Sequence, residues 1–237
     1  MRIVLVGLMC GMLSAQEPPQ VPLLSANADP VVIFATVCAG CHGEHGEGKH
    51  ETMAPSIAGL PRWFGTIQLG KFREGVRGKH HQDLTGTQMQ AIAAALTPEL
   101  AGKMAAHIEG MEPFPTQAPP DADAARGAVL FEEICAQCHR FNGQGEQAFR
   151  SAPLTTLSGW YIAESLRKFR EGLRGYEHGD LEGPKMREIA GRLGDKEIQD
   201  LVGHIATLAE RYPRGENVRA ARDRRVTPTA VPSGSND

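Results

Sequence analysis

Aromatic residues make up only 5% of this 237-residue chain. It also has few cysteines, no excess of one charge, and no long apolar run outside its first residues. Each shortage excludes something. With so few rings, a core built from side chains alone is thin, and a large buried non-protein group would supply the missing apolar volume. The 25 bases stand against 28 acids, a formal net charge of −3, which gives no case for a nucleic-acid partner. The balance holds by segment: seven bases against nine acids in residues 29–112, twelve against fifteen in 121–213, and five against three from 214 onward. The most this charge supports is weak steering of a mildly basic partner. The one apolar run, Ile3 to Leu13, is too short to span a bilayer. With Arg2 before it and Ser14-Ala15 after it, residues 1–15 read as a secretory signal removed before Gln16. An uncleaved anchor, or a lipid on Cys10, is the competing reading. Export across the inner membrane places the mature chain in the periplasm, without a transmembrane span and with room for peripheral membrane association.

Removing residues 1–15 leaves four cysteines, and all four lie in two copies of one pentapeptide, Cys38-Ala-Gly-Cys41-His42 and Cys135-Ala-Gln-Cys138-His139. Cys-x-x-Cys-His is the attachment signature of c-type haem. Its two thiols are spaced to bond the two vinyl groups of one porphyrin, and the following His is placed to coordinate the iron. Two haem c groups are therefore expected, and no thiol is left for a disulfide, a nucleophile or a cysteine iron ligand. A four-thiolate zinc site is the rival use of paired Cys-x-x-Cys units. Secretion, the His after each second Cys and one matched Met per copy favour haem.

The repeat extends well past the pentapeptide. Trp63 matches Trp160, Lys71-Phe-Arg-Glu-Gly75 matches Lys168-Phe-Arg-Glu-Gly172, Arg77-Gly78 matches Arg174-Gly175, Met89 matches Met186, and His107-Ile108 matches His204-Ile205. Every pair keeps an offset of 97 residues, the mark of a tandem duplication. The expected organisation is an extension at 16–28, one domain at 29–112, a Pro-rich semi-rigid linker at 113–120, a second domain at 121–212, and a disordered Arg-rich tail at 213–237. Asp29-Pro30 and Thr97-Pro98-Glu99 each open a helix in the manner of a cap followed by a first-turn proline. Asp195 is expected to cap the matching last helix, and apolar spacings of three and four over 61–76 and 158–173 predict amphipathic helices. No stretch alternates as a strand should, so the fold class is all-α.

The sixth position of a His-bound haem iron decides between electron transfer and chemistry on a bound substrate. Met89 follows His42 by 47 residues and Met186 follows His139 by the same 47. A thioether is a soft neutral ligand that raises the reduction potential and closes the iron to small molecules. His80, His81 and His178 are rivals for that position. His107 and His204 fall inside terminal helices and read as interhelical residues. For the proximal imidazoles, the backbone carbonyls of Pro55 and Pro153 are candidate acceptors that would fix the tautomer. Trp63 and Trp160, or Arg73 and Arg170, are candidates to meet haem propionates.

Taken together, these features resemble the c-four type of dihaem class I cytochrome c: tandem Cys-x-x-Cys-His domains, each with a Lys-Phe-Arg-Glu-Gly-x-Arg-Gly helix end, a distal Met and a short terminal helix. The resemblance implies two class I cytochrome c folds facing each other. It implies two His/Met haems, with His42 and His139 proximal and Met89 and Met186 distal. It also implies electron shuttling in the bacterial periplasm between a membrane respiratory complex and a terminal oxidase or reductase, as a free carrier or a subunit rather than an enzyme. The family usually has an aromatic residue where His107 and His204 stand, and commonly Tyr where Trp63 and Trp160 stand. A dihaem peroxidase is the alternative, and it needs a displaceable axial ligand beside acid–base groups.

Overall fold

The computed structural model describes residues 24–213. The signal reading of 1–15, most of the 16–28 extension and the tail beyond Pro213 lie outside the described residues. Within them the chain is helical, and in place of strands there are two isolated bridges, Lys49 with Ala54 and Glu146 with Ser151.

Each half opens on a helix interrupted by a π turn. In the first half α1 (Pro30–Ile33) starts where the Asp29 carboxylate accepts the Val31 N–H at 2.9 Å, satisfying a donor that has no partner inside the helix. The backbone then widens into a π turn over Phe34–Cys38 before α2 (Ala39–His42). The second half repeats this with α6 (Ala124–Leu130), a π turn at Phe131–Cys135 and α7 (Ala136–His139). One extra residue advances a helix face by about 100°, which changes the direction in which the thiols and the His leave the axis.

Three longer helices complete each half. They are α3 (Arg62–Arg73), α4 (Leu84–Ala94) and α5 (Pro98–Glu109) in the first, and α8 (Gly159–Arg170), α9 (Gly183–Ala190) and α10 (Asp195–Arg211) in the second. In both halves the first long helix packs against the other two, and the opening helix packs on the last. Phe34 with Leu100, Met104 and Ile108, and Phe131 with Ile198, Leu201 and Ile205, form the buried apolar cores. His107 lies edge-on to Phe34 at 5.4 Å and His204 meets Phe131 at 5.3 Å, so these histidines join the opening and closing helices as their positions suggested.

One cap differs from expectation. The N-cap of α10 is Gly194, whose N–H bonds the Glu197 carboxylate at 2.6 Å, and Asp195 is already inside the helix. Its carboxylate is drawn away to Arg170 at 3.0 Å. The linker is pinned by Thr116, which is buried and donates its hydroxyl to the carbonyls of Leu154 and Leu157 at 2.8 Å each.

α6 and α10 pack closely at Gly127. A Cβ on Gly127 would stand 1.9 Å from the Asp200 carbonyl oxygen, and backbone cannot yield as a flexible side chain can. Gly127→Ala should lower the unfolding free energy by about 3 kcal/mol, as read by denaturant titration. Gly102→Ala, where an added Cβ meets nothing within 4 Å, should change it by less than about 1 kcal/mol in the stabilising direction.

Candidate haem sites and the junction between them

The π turns deliver both cysteines of each motif to one end of the opening helix. Cys38 and Cys135 are partly buried, Cys41 and Cys138 are exposed, and none of the four is in a disulfide. Burial pushes the Cys38 thiol up to about 11 and the Cys135 thiol up to about 12, with a smaller push from the neighbouring cysteine in each pair. Such thiols are poor thiolate donors. No three His, Cys, Asp or Glu side chains among the described residues converge as a metal cluster, so the geometry gives no support to a zinc site.

His42 and His139 are buried, and burial holds both imidazoles below their usual pKa despite a backbone hydrogen bond that works the other way. The Nδ1 of His42 faces the Pro55 carbonyl at 2.8 Å. A carbonyl oxygen only accepts, so Nδ1 carries the proton and Nε2 keeps a bare lone pair. In the second copy the acceptor is Ala152 at 2.9 Å, not Pro153. The Ala-Pro pair had slipped one residue relative to the repeat, whereas the backbone kept the 97-residue register.

The loop between each His and its acceptor is folded back by matching devices. Thr52 donates to the Cys41 carbonyl at 3.0 Å and Ser151 to the Cys138 carbonyl at 2.5 Å. Gly48 and Gly145 take φ of 84° and 73°, and a Cβ at Gly48 would fall 2.3 Å from the Ser56 backbone nitrogen. Only glycine fits there. Arg140 takes φ 66° and ψ 159° where the first copy has Gly43, a conformation that costs a non-glycine residue about 1–3 kcal/mol. Its side chain is tied to Glu146.

A covalently held haem fits this frame on three grounds: paired thiols followed by a His with a free Nε2, half-buried apolar walls, and two buried hydroxyls, Ser56 and Thr156, that have no hydrogen-bond partner in the protein. Ser56 directly follows the Pro55 acceptor.

Met89 lies within α4 and Met186 at the equivalent place in α9, both partly buried, and Met186 packs against the apolar core. Of the rival histidines, His80 is stacked on His81 at 4.8 Å with Tyr176 edge-on at 5.5 Å, and His178 is exposed. Trp63 rests on Phe64, and Trp160 crosses between the halves to His50 at 5.1 Å. Arg170 bonds the Leu193 carbonyl at 3.1 Å and the Asp195 carboxylate at 3.0 Å. Its partners exist because α8 packs beside the start of α10. Arg73 pairs with Glu74 at 3.4 Å.

Between the halves is a two-fold network that sequence reasoning missed. Lys71 bonds Asp180 and Glu182 at 2.5 Å each, and Lys168 bonds Asp83 at 2.6 Å and Thr85 at 2.8 Å. Lys71 and Lys168 are 97 residues apart, as are Asp83 and Asp180, so each copy gives its Lys to the other's Asp, the pattern of an isologous interface. Arg77 bonds Gln68 at 2.7 Å and also Tyr161, while Arg174 reaches Gln68 at 3.5 Å and Ser165 at 3.3 Å. Each guanidinium lies over the Phe of its own copy, Phe72 or Phe169. The signal was present in the repeat: Arg77 and Arg174 are in register, and a basic residue kept in both copies next to a left-handed glycine had no assigned partner.

The cytochrome c family profile matches this chain twice, over residues 31–112 and 124–209. The chain is 29% identical to a thiosulfate dehydrogenase electron acceptor of Stutzerimonas stutzeri (strain A1501), over 75% of this chain and 81% of that protein. Among solved structures it is similar to reduced recombinant cytochrome c4 from Pseudomonas stutzeri, with a TM-score of 0.59 and 26% identity, covering 73% of this chain and 93% of that one. It is also similar to a thiosulfate dehydrogenase from Marichromatium purpuratum, with a TM-score of 0.57 and 30% identity. That match covers 72% of this chain and 36% of the other, so this chain spans about a third of that protein.

The junction makes a testable demand. For Asp83 and Asp180, burial alone would raise the carboxyl pKa, but Lys168 or Lys71 and a backbone N–H together hold it below the usual range. Their contribution is therefore complete above the ordinary carboxylate value of about 4 and is lost as pH falls through the lowered folded value. Lys168→Met leaves Asp83, whose side chain is 4% exposed, charged and unpaired, and should destabilise the protein by about 3 kcal/mol at pH 7. Lys168→Met combined with Asp83→Asn should recover part of that loss and show a shallower stability decline below pH 4, measured by thermal unfolding across pH.

Proposed function

The chain belongs to the cytochrome c family, and we propose that each of its two domains holds one haem through Cys38 and Cys41, or Cys135 and Cys138, with His42 and Met89, or His139 and Met186, as axial ligands. The protein is an electron carrier with two covalently bound haem c groups, not an enzyme. The observation that carries the ligand assignment is the repeated imidazole geometry. Both buried histidines donate Nδ1–H to a backbone carbonyl thirteen residues on, which leaves Nε2 as the coordinating atom beside a thiol pair.

When bound, each haem supplies a one-electron Fe(II)/Fe(III) couple. This chain's residues do the rest. The Pro55 and Ala152 carbonyls hold the imidazole tautomer and raise its basicity. Met89 and Met186 would supply neutral soft ligands to a bound haem, which favour the reduced iron relative to a second imidazole. The apolar cores around Phe34 and Phe131 exclude water, so little solvent must reorganise when the charge changes.

The mature chain works in the periplasm after loss of residues 1–15. No helix among the described residues is long and apolar enough to cross a membrane. Its donor is a dehydrogenase of the kind whose electron acceptor it resembles, and its acceptor is a membrane-bound terminal oxidase or reductase.

Met89→His or Met186→His should keep two haems by mass, lower the potential of one haem in an optical redox titration, and remove the weak sulfur-to-iron charge-transfer band of that site. If both replacements together left that band unchanged, the distal assignment would be wrong.

A further inference from the structure

The loops that follow the two Cys-x-x-Cys-His motifs share a backbone path and differ in the side chains they turn outward. Residues 43–53 carry Lys49 against Glu44, Glu47 and Glu51, one base against three acids. The matching residues 140–150 carry Arg140 and Arg150 against Glu146, two bases against one acid. At the same offset of 97, Phe141 stands where the first copy has Glu44, and Phe149 where it has Thr52. Both rings are open to solvent, Phe141 by 50% and Phe149 by 58%. The second loop is thus apolar and net basic where the first is polar and net acidic.

The fold of the loop does not ask for these side chains. In the first copy Thr52 ties the loop to the Cys41 carbonyl, and in the second Ser151 does the same for Cys138, which releases position 149 from that task. The Ser151 tie also keeps Phe149 near the exposed Cys138. Phe141 is held edge-on by Tyr212 at 5.7 Å, so its ring loses little freedom when something settles on it. Arg140 keeps a left-handed backbone at φ 66° where Gly43 serves the first copy without strain, and its side chain is exposed. Arg150 reaches Glu182 at 3.3 Å, which brings the exposed Leu181 to the same loop. One exposed apolar side chain is ordinary. Three tied to one loop, with two arginines among them, have the composition of an interface core.

We propose that residues 140–150, with Leu181 beside them, form the docking face for a redox partner protein whose contact surface is apolar at its centre and acidic at its rim. This rests on the dihaem reading above, in which a partner seated there lies against the segment that binds the second haem. Phe141 and Phe149 are the apolar anchors, filling the partner's centre. Arg140 meets carboxylates of the rim, where partial exposure makes its charge act mainly on encounter and orientation. The loop of the first domain, with Glu44, Glu47 and Glu51 turned towards the same partner, repels it. The two copies therefore present different faces, and an acidic partner is directed to the second.

The probe is flavodoxin, a small acidic redox protein with an apolar flavin edge. Its affinity for the full chain is measured by calorimetry, and the reduction of the oxidised haem-loaded chain by flavodoxin hydroquinone is followed by stopped flow. Phe141→Glu combined with Phe149→Thr, which installs the first copy's residues, should lower affinity and second-order rate by about tenfold. Arg140→Gly, which suits the left-handed backbone, should lower the rate by about threefold and flatten its decline with added salt. Val31→Thr, at an exposed apolar position of the first domain, should change neither. The proposal is overturned if flavodoxin does not bind the unaltered chain, if its rate rises with salt, or if the loop variants match the unaltered chain. A dimer of the unaltered chain in sedimentation that the Phe variants dissolve would assign the face to a second copy and overturn it as well. Haem counting by mass separates the two readings: an unaltered chain without haem would sink the dihaem reading, and the calorimetric affinities would still decide the docking face.

Discussion

The hydrogen bond from a buried imidazole to a backbone carbonyl thirteen residues later is the constraint from which both sites follow. It fixes the tautomer, so one nitrogen is free to coordinate, and it sets where the glycine-rich loop must return. That return needs left-handed backbone at Gly48 and Gly145, a side-chain tie from Thr52 or Ser151 to the end of the motif helix, and the short bridge between Lys49 and Ala54 or Glu146 and Ser151. The loop then leads straight into α3 or α8. Displacing the carbonyl would free the ring to rotate and would also loosen the entry into the helix that forms the junction.

The junction uses the same duplication a second time. A motif that faces its own copy across a two-fold axis needs only one Lys and one Asp per copy to make two ion pairs, because each supplies what the other lacks. Four side chains thus orient two domains. The side chains of these pairs are 4–16% exposed, apart from Glu182 at 20%, so each is screened little by solvent and a lone survivor would be expensive to leave buried.

Legibility in the sequence follows the range of the forces involved. The haem motif, its offset of 97, the first-turn prolines and the amphipathic helices are local or periodic features, and a single chain displays them openly. The Ala-Pro pattern does not mark the acceptor in the second copy, because the backbone follows the loop's turn count and presents Ala152, not Pro153, to His139. The partners of Arg170, Leu193 and Asp195, are not legible in the sequence because they are brought to it only when α8 packs on α10. Arg77 and Arg174 repeat as visibly as the methionines, yet their meaning depends on how the two copies meet, and a repeat alone does not say which faces touch.

The copies are equal in frame and unequal in surroundings, and the inequality lies in the acceptors. Lys71 meets two carboxylates, Asp180 and Glu182, whereas Lys168 meets one carboxylate and a hydroxyl, Asp83 and Thr85. Position 64 is Phe where its counterpart 161 is Tyr, so only the second copy offers a phenol to the arginines. Position 43 is Gly where 140 is Arg. Each difference places an extra charge or dipole within the second domain or its side of the junction. Two haems in unequal fields have unequal potentials, and unequal potentials give internal electron transfer a downhill direction. The duplication thus supplies two sites of the same kind, and the differences between the copies at the junction and beside the haem motif set their surroundings apart.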